Sequence, residues 1–173
     1  MTGVQTCALP ISQLAQLAAE CAGAFSPGEF IWTKGDRYVD ALRPGVEPEG
    51  FETIEDLVLA RRFHLERVRS LFQQMDVFVF TLGLTETWVH QPTNTVFPGA
   101  PGVVAGAYDP ATFAFVNLKH GQVIGAFQNF FKTLAGLRGG GLPKVILTVS
   151  PVPLTATAGP DHVLSATSYS KAV

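Results

Sequence analysis

The sequence predicts an α/β fold, with a mainly parallel sheet and helices covering both of its faces. Two observations carry that prediction. Residues 76–82 (DVFVFTL) and 144–149 (KVILTV) are short runs dominated by β-branched and aromatic side chains, and helix-periodic segments lie before and between them. Runs of this kind suit strands covered on both sides. Strand, helix and second strand make a βαβ crossover, whose two strands are parallel. Ligands of such sheets collect outside the carboxyl ends of the strands, which places TLGLTETW and SPVP on one rim.

In chain order, the first residues stand apart. MTGVQTCALPI corresponds codon by codon to a widely used short-read sequencing adapter, and Ser12 fits the codon that follows. Residues 1–12 are therefore expected to be adapter-derived and are set aside from the fold. Residues 13–173 are expected to be part of one domain that extends past both ends of this sequence.

Gln13–Ala22 is a short predicted helix with Leu14, Leu17 and Ala18 on one face. The Pro- and Gly-rich stretch SPGEFIWTKGDRYVDALRPGVEPEG reads as an ordered loop with one short strand. Thr53 then opens a long helix with Asp56 as its capping pair. Its apolar face is Ile54, Leu57, Val58, Leu65, Val68, Leu71 and Phe72. Arg61, Arg62, Arg67 and Arg69 fall on the expected wet side.

After the strand at 76–82, residues 91–115 read as a long loop containing FPGAPG. Asn117 is the expected cap of a second helix, whose apolar residues run from Val123 to Leu137. RGGG at 138–141 closes it with glycine.

Composition limits the function classes. A chain of 173 residues, 47% hydrophobic and 15% charged, can bury a substantial core. A formal charge of -2 without clustered Lys or Arg argues against a nucleic-acid groove or a polybasic membrane patch. No apolar stretch reaches the roughly 18–20 residues of a membrane span. A cytoplasmic location is expected. Cys7 and Cys21 form neither a disulfide framework nor a CxxC ligand pair, and no metal site or cofactor is expected.

The chemistry-bearing residues concentrate on the predicted rim. Gly83 lets the backbone turn sharply or approach a ligand closely. Thr85 and Glu86 offer a hydroxyl, a carboxylate and backbone N–H groups, the donors an oxyanion site needs. They can equally cap the segment that follows. Ser150, at the second strand tip, is followed by Pro151, which favours a turn-capping serine over a nucleophile elbow. Glu86 and His90 share a face if their segment is helical, but two ligands do not make a metal site. His64, His120 and His162 read as structural or solvated. Tyr169 and Lys171 lack the Tyr-x-x-x-Lys spacing of a short-chain dehydrogenase.

DALRPGVEPEGF, VFTLGLTETWVH, LTVSPVPLTAT and HVLSATSYSKAV together resemble the GSCFA family, grouped with the SGNH (GDSL-like) hydrolases, from about Gln13 to the last residue. The resemblance implies a flavodoxin-like three-layer α/β/α sandwich, incomplete here. It also implies Ser-His esterase or acyl-transfer chemistry on a small-molecule or glycan ester. The nucleophilic Ser and the base His would belong to motifs that this sequence does not contain, so no catalytic residue is expected within it. Gly83-Leu84-Thr85-Glu86 stands where SGNH enzymes carry Gly-x-Asn-Asp, with Thr85 replacing the oxyanion-donating Asn. Gly83, Thr85, Glu86 and Ser150 are thus the expected oxyanion or site-lining residues. A glycan-binding or assembly module of the same fold, without catalysis, is the alternative.

Overall fold

The computed structural model describes residues 10–173, and the chain adopts an α/β fold with four helices and seven strands among them. In order these are α1 (Ile11–Cys21), β1 (Ile31–Lys34), β2 (Arg37–Asp40), α2 (Ile54–Gln74), β3 (Val77–Leu82) and β4 (Glu86–His90). They are followed by β5 (Thr95–Phe97), β6 (Phe113–Asn117), α3 (His120–Leu137), β7 (Lys144–Val149) and α4 (Val163–Ala172). Among the described residues, no helix is long and apolar enough to cross a membrane. The adapter-derived reading falls mostly outside the described residues. Of that segment, Ile11 begins α1 and is buried in the core, so its side chain takes part in packing whatever its origin.

The predicted crossover is present. β3 and β7 pair in parallel, in register from Val77 opposite Lys144 to Leu82 opposite Val149. Phe78, Phe80 and Leu82 point from β3 into a core built by α1, α2 and α3. Phe78 packs on Phe130 with ring centroids 5.0 Å apart, and Phe80 meets Phe127 edge-on at 5.9 Å. Phe72 of α2 meets the same Phe130. These contacts put the helices on one side of β3, whereas β7, expected as a buried strand, is exposed along its whole length, with Val145, Leu147 and Val149 open beside Phe78, Phe80 and Leu82.

The other side differs from the expectation of two covered faces. Val77, Val79 and Ile146 stand bare there, Val79 at 56% exposure and Ile146 at 50%. Alternation along a strand sends neighbouring side chains to opposite faces. The phenylalanines therefore find the helices and the valines do not.

Helix ends follow local chemistry. Thr53 caps α2 by accepting the Asp56 N–H at 3.1 Å, as its sequence predicted. Glu55 and Asp56 in the first turn complement the helix dipole. α3 is capped by Lys119, whose N–H donates to Gln122 Oε1 at 2.8 Å. Asn117, the expected cap, is instead the last residue of β6. Its side chain is engaged elsewhere, as described below. Gly139, at φ +72°, closes α3 in the left-handed conformation that glycine adopts at least cost.

Two departures lie in segments read as loops. The Pro- and Gly-rich stretch forms a β1–β2 hairpin rather than one strand, turning at Gly35 with φ +62°. Residues 83–118 build a three-stranded antiparallel sheet in the order β5-β4-β6. Hairpin and sheet share a second core of Trp32, Val39, Ala41, Phe97, Ala105 and Phe113. Trp32 stacks on Phe97 at 5.1 Å. β4 shows no clear polar–apolar alternation because its buried residues include Thr87 and His90. Both are hydrogen-bonded, Thr87 to the Phe97 carbonyl and His90 Nδ1 to the Thr93 hydroxyl.

Candidate functional site

The candidate site lies where β3 and β7 end. The ladder runs one step past the strands, with Ser150 N–H donating to the Leu82 carbonyl at 2.7 Å. Gly83 follows at φ +142°, buried, in a region that side-chain-bearing residues rarely adopt. A Cβ at Gly83 would lie 2.6 Å from Lys171 Nζ and 3.0 Å from Ser150 Cβ. Glycine is therefore favoured here by conformation, and a larger residue would press on Ser150 Cβ and displace the Lys171 ammonium. Lys171, in the last turn of α4, donates to the Gly83 carbonyl at 3.2 Å. The strand tips and the last helix thus bring Gly83, Ser150 and Lys171 to one point.

Ser150 behaves as its sequence context predicted. Its Oγ accepts the Val152 N–H at 3.2 Å, capping the turn through Pro151. The hydroxyl proton is given to no protein group among the described residues.

Thr85 is brought to the same neighbourhood but turned inward. It is 4% exposed. Its hydroxyl donates to Asn117 Oδ1 at 2.6 Å. A threonine has one hydroxyl proton. The 2.8 Å contact with Ser170 Oγ must therefore have Ser170 as donor. The Thr85 hydroxyl is thus committed to tying β3's exit to β6 and α4, and has no proton left for a ligand in this arrangement. Leu118 N–H to the Thr85 carbonyl, at 2.9 Å, completes the joint.

Glu86 begins β4, paired with Asn117 of β6. Its carboxylate accepts from the Thr157 hydroxyl and from the Ala158 N–H at 3.4 Å. It pins the 150–162 segment over the rim. Glu86 and His90, which would share a face only on a helix, lie in a strand, with His90 paired opposite Phe113. His162 caps α4 by accepting the Leu164 N–H at 3.3 Å, which is a structural role.

A second charged cluster lies away from the rim. Arg61, expected on the wet face of α2, is 5% exposed. Its guanidinium donates to both Asp40 carboxylate oxygens at 3.1 Å and to Glu20. Arg43 adds a 3.0 Å bond to Asp40. Burial raises the Glu20 carboxyl above its ordinary range, with Arg61 opposing it. Beside this network, burial lowers His64 to about 4, helped by the positive charges of Arg43 and Arg61. Cys21 donates weakly to the Leu65 carbonyl. Burial, aided by the nearby Glu20 charge, pushes its thiol up to about 11, which keeps it unreactive at neutral pH.

A cavity of about 340 Å³ adjoins this cluster between Phe25, Phe30 and α2. One of about 820 Å³ lies among α1, Val96 and α3. Neither reaches the rim.

Sequence reasoning named Gly83, Thr85, Glu86 and Ser150, and the structure places all four at the β3–β7 exit. It did not connect Lys171, weighed only for dehydrogenase spacing, or Ser170 with the rim, which they reach from 88 and 85 residues away. The only local signal was their position in SYSK, directly after a serine-rich turn of helix. A model of the GSCFA family matches residues 15–173. No curated protein and no solved structure matches the chain.

Proposed function

The chain belongs to the GSCFA family, and from that premise we propose that it carries one side of an acyl-ester site of the SGNH-hydrolase type. The chemistry is ester hydrolysis or acyl transfer on a small-molecule or glycan ester. One observation carries the reading: Gly83, Ser150, Lys171 and the Glu86-pinned loop converge at the carboxyl ends of the parallel strands, where α/β sheets hold their ligands.

Ser150 lines the site and does not attack. Its Oγ caps a turn, and among the described residues neither a histidine nor a carboxylate is bonded to it. A nucleophilic serine needs a hydrogen-bonded base to take its proton, and Lys171, the basic group at this rim, is bonded to the Gly83 carbonyl and not to Ser150. In this reading the nucleophile and its base come from sequence flanking these 173 residues. Thr85 is architectural, because its proton already serves Asn117.

The test compares two proteins. A longer natural chain including the flanking sequence is expected to hydrolyse p-nitrophenyl acetate and to lose that activity on treatment with a serine-directed sulfonyl fluoride. The 173-residue chain is expected to be inactive. Hydrolysis by the 173-residue chain that a Ser150→Ala change abolishes would overturn this assignment.

A further inference from the structure

We propose that Lys171 and Ser150 form a side-chain anion site at the tip of β3, which holds a tetrahedral oxyanion. Its source in the reaction is the carbonyl oxygen of an ester as it becomes negatively charged. That source rests on the ester reading above.

The Lys171 ammonium has three N–H donors. One goes to the Gly83 carbonyl at 3.2 Å. Among the described residues, no carboxylate forms an ion pair with it. A half-buried cation held by one neutral carbonyl leaves two donors and a full charge directed at its surroundings. The ordinary role of a lysine in a last helical turn is to offset the helix dipole. Here the side chain instead extends across to the strand tip, into the space that Gly83 leaves by having no Cβ.

Ser150 supplies the second donor. Its Oγ accepts from Val152 N–H, which leaves the hydroxyl proton free to turn toward a ligand. The Gly83 Cβ position lies 3.0 Å from Ser150 Cβ and 2.6 Å from Lys171 Nζ. Lys171 Nζ and the Ser150 backbone and Cβ therefore border one small volume, with the Ser150 hydroxyl carried on that Cβ. A cation with two uncommitted donors, beside a serine whose hydroxyl proton is uncommitted, suits a compact, negatively charged oxygen.

This also accounts for Thr85. Its hydroxyl is spent on Asn117, so the donor that the strand tip needs comes from Lys171. No proton is transferred by this pair. It holds charge that develops elsewhere.

The probe is inorganic phosphate, a stable tetrahedral oxyanion, titrated into the 173-residue chain by calorimetry. Saturable binding is expected. Lys171→Met should weaken it roughly tenfold or more, the loss of a charge-assisted hydrogen bond. Ser150→Ala should weaken it less, and Lys171→Arg should retain part of it. Lys132→Met, on α3 away from the rim, should leave it unchanged. Circular dichroism of each variant separates lost binding from lost folding, and Lys171→Arg keeps the test open should Lys171→Met unfold.

Absence of binding in the folded wild-type chain, or binding indifferent to Lys171→Met, overturns the proposal. A second arm separates the sources. In the longer chain, Lys171→Met should lower kcat for p-nitrophenyl acetate more than it raises KM. An unchanged kcat with phosphate binding lost overturns the oxyanion role and leaves a phosphate site. Lysine-dependent phosphate binding without any esterase activity in the longer chain sustains the pair and overturns the ester reading instead.

Discussion

At the scale of single residues, Arg61 decides more than its place in the sequence suggests. It neutralises Asp40 and Glu20 inside the protein. Removing one partner of a buried ionic cluster leaves an uncompensated charge and costs about 3–5 kcal/mol. Arg61→Met is expected to destabilise the chain by about that much in urea unfolding. Adding Glu20→Gln should restore part of the loss, because one stranded carboxylate is then gone. An equal loss in the single and double variants would show that Glu20 is not held by Arg61.

His64 makes a second prediction at the same scale. In the folded chain its pKa is lowered to about 4 from an ordinary value of 6.5. The unfolded chain therefore takes up this proton first as the pH falls. The stability linked to His64 is present above pH 6.5 and is lost as the pH drops towards 4. A His64→Gln variant should lose less urea resistance between pH 7 and pH 5 than the wild type does. Parallel losses would sink the assignment. Neither the burial of Arg61 nor the partial burial of His64 was legible. On a helical wheel both fall among arginines. Arg61 is buried through partners 21 and 41 residues away, and no local pattern encodes those.

At the scale of elements, the long helix, the crossover strands and the glycine stop after α3 were legible because each is set locally, by periodicity, a cap or a left-handed turn. The hairpin and the β5-β4-β6 sheet were not. Their strands run three to five residues, and their pairing is non-local. Asn117 shows the ambiguity well. An Asn before a helix-periodic run is a good cap by preference, yet tertiary structure uses it to receive the Thr85 hydroxyl.

That joint holds β4, β6 and α4 together through Thr85, Asn117 and Ser170. Thr85→Val keeps the shape, removes the hydroxyl and leaves buried Ser170 and half-buried Asn117 without this partner. It is expected to cost about 1–3 kcal/mol. Amide exchange should quicken in α4 before it does in α3, since α4 depends on this joint and α3 on the aromatic core. Uniform quickening across both helices would mean that Thr85 stabilises the fold in general and does not anchor α4.

At the scale of the whole molecule, the unequal faces of the β3–β7 pair have a physical consequence. Val77, Val79 and Ile146 form an exposed apolar strip on a two-stranded sheet. Ile54, Val58, Leu59 and Phe63 of α2 are exposed as well. Contiguous apolar surface of this kind drives association, and strands with unpaired edges template it. The same side chains were read from the sequence as doubly covered. That reading captured their chemistry correctly, while the described residues cover one face of β3 and leave β7 exposed. The 173-residue chain is therefore expected to bind the dye ANS in its folded state and to sediment as larger species at higher concentration. Val79 and Ile146 stand opposite each other in register, so Val79→Lys with Ile146→Lys places two charges in the middle of the strip. The double variant should bind less dye and sediment closer to a monomer, with an unchanged circular dichroism spectrum. Undiminished association would place the sticky surface on α2 instead, and Phe63→Lys would then be the variant that relieves it.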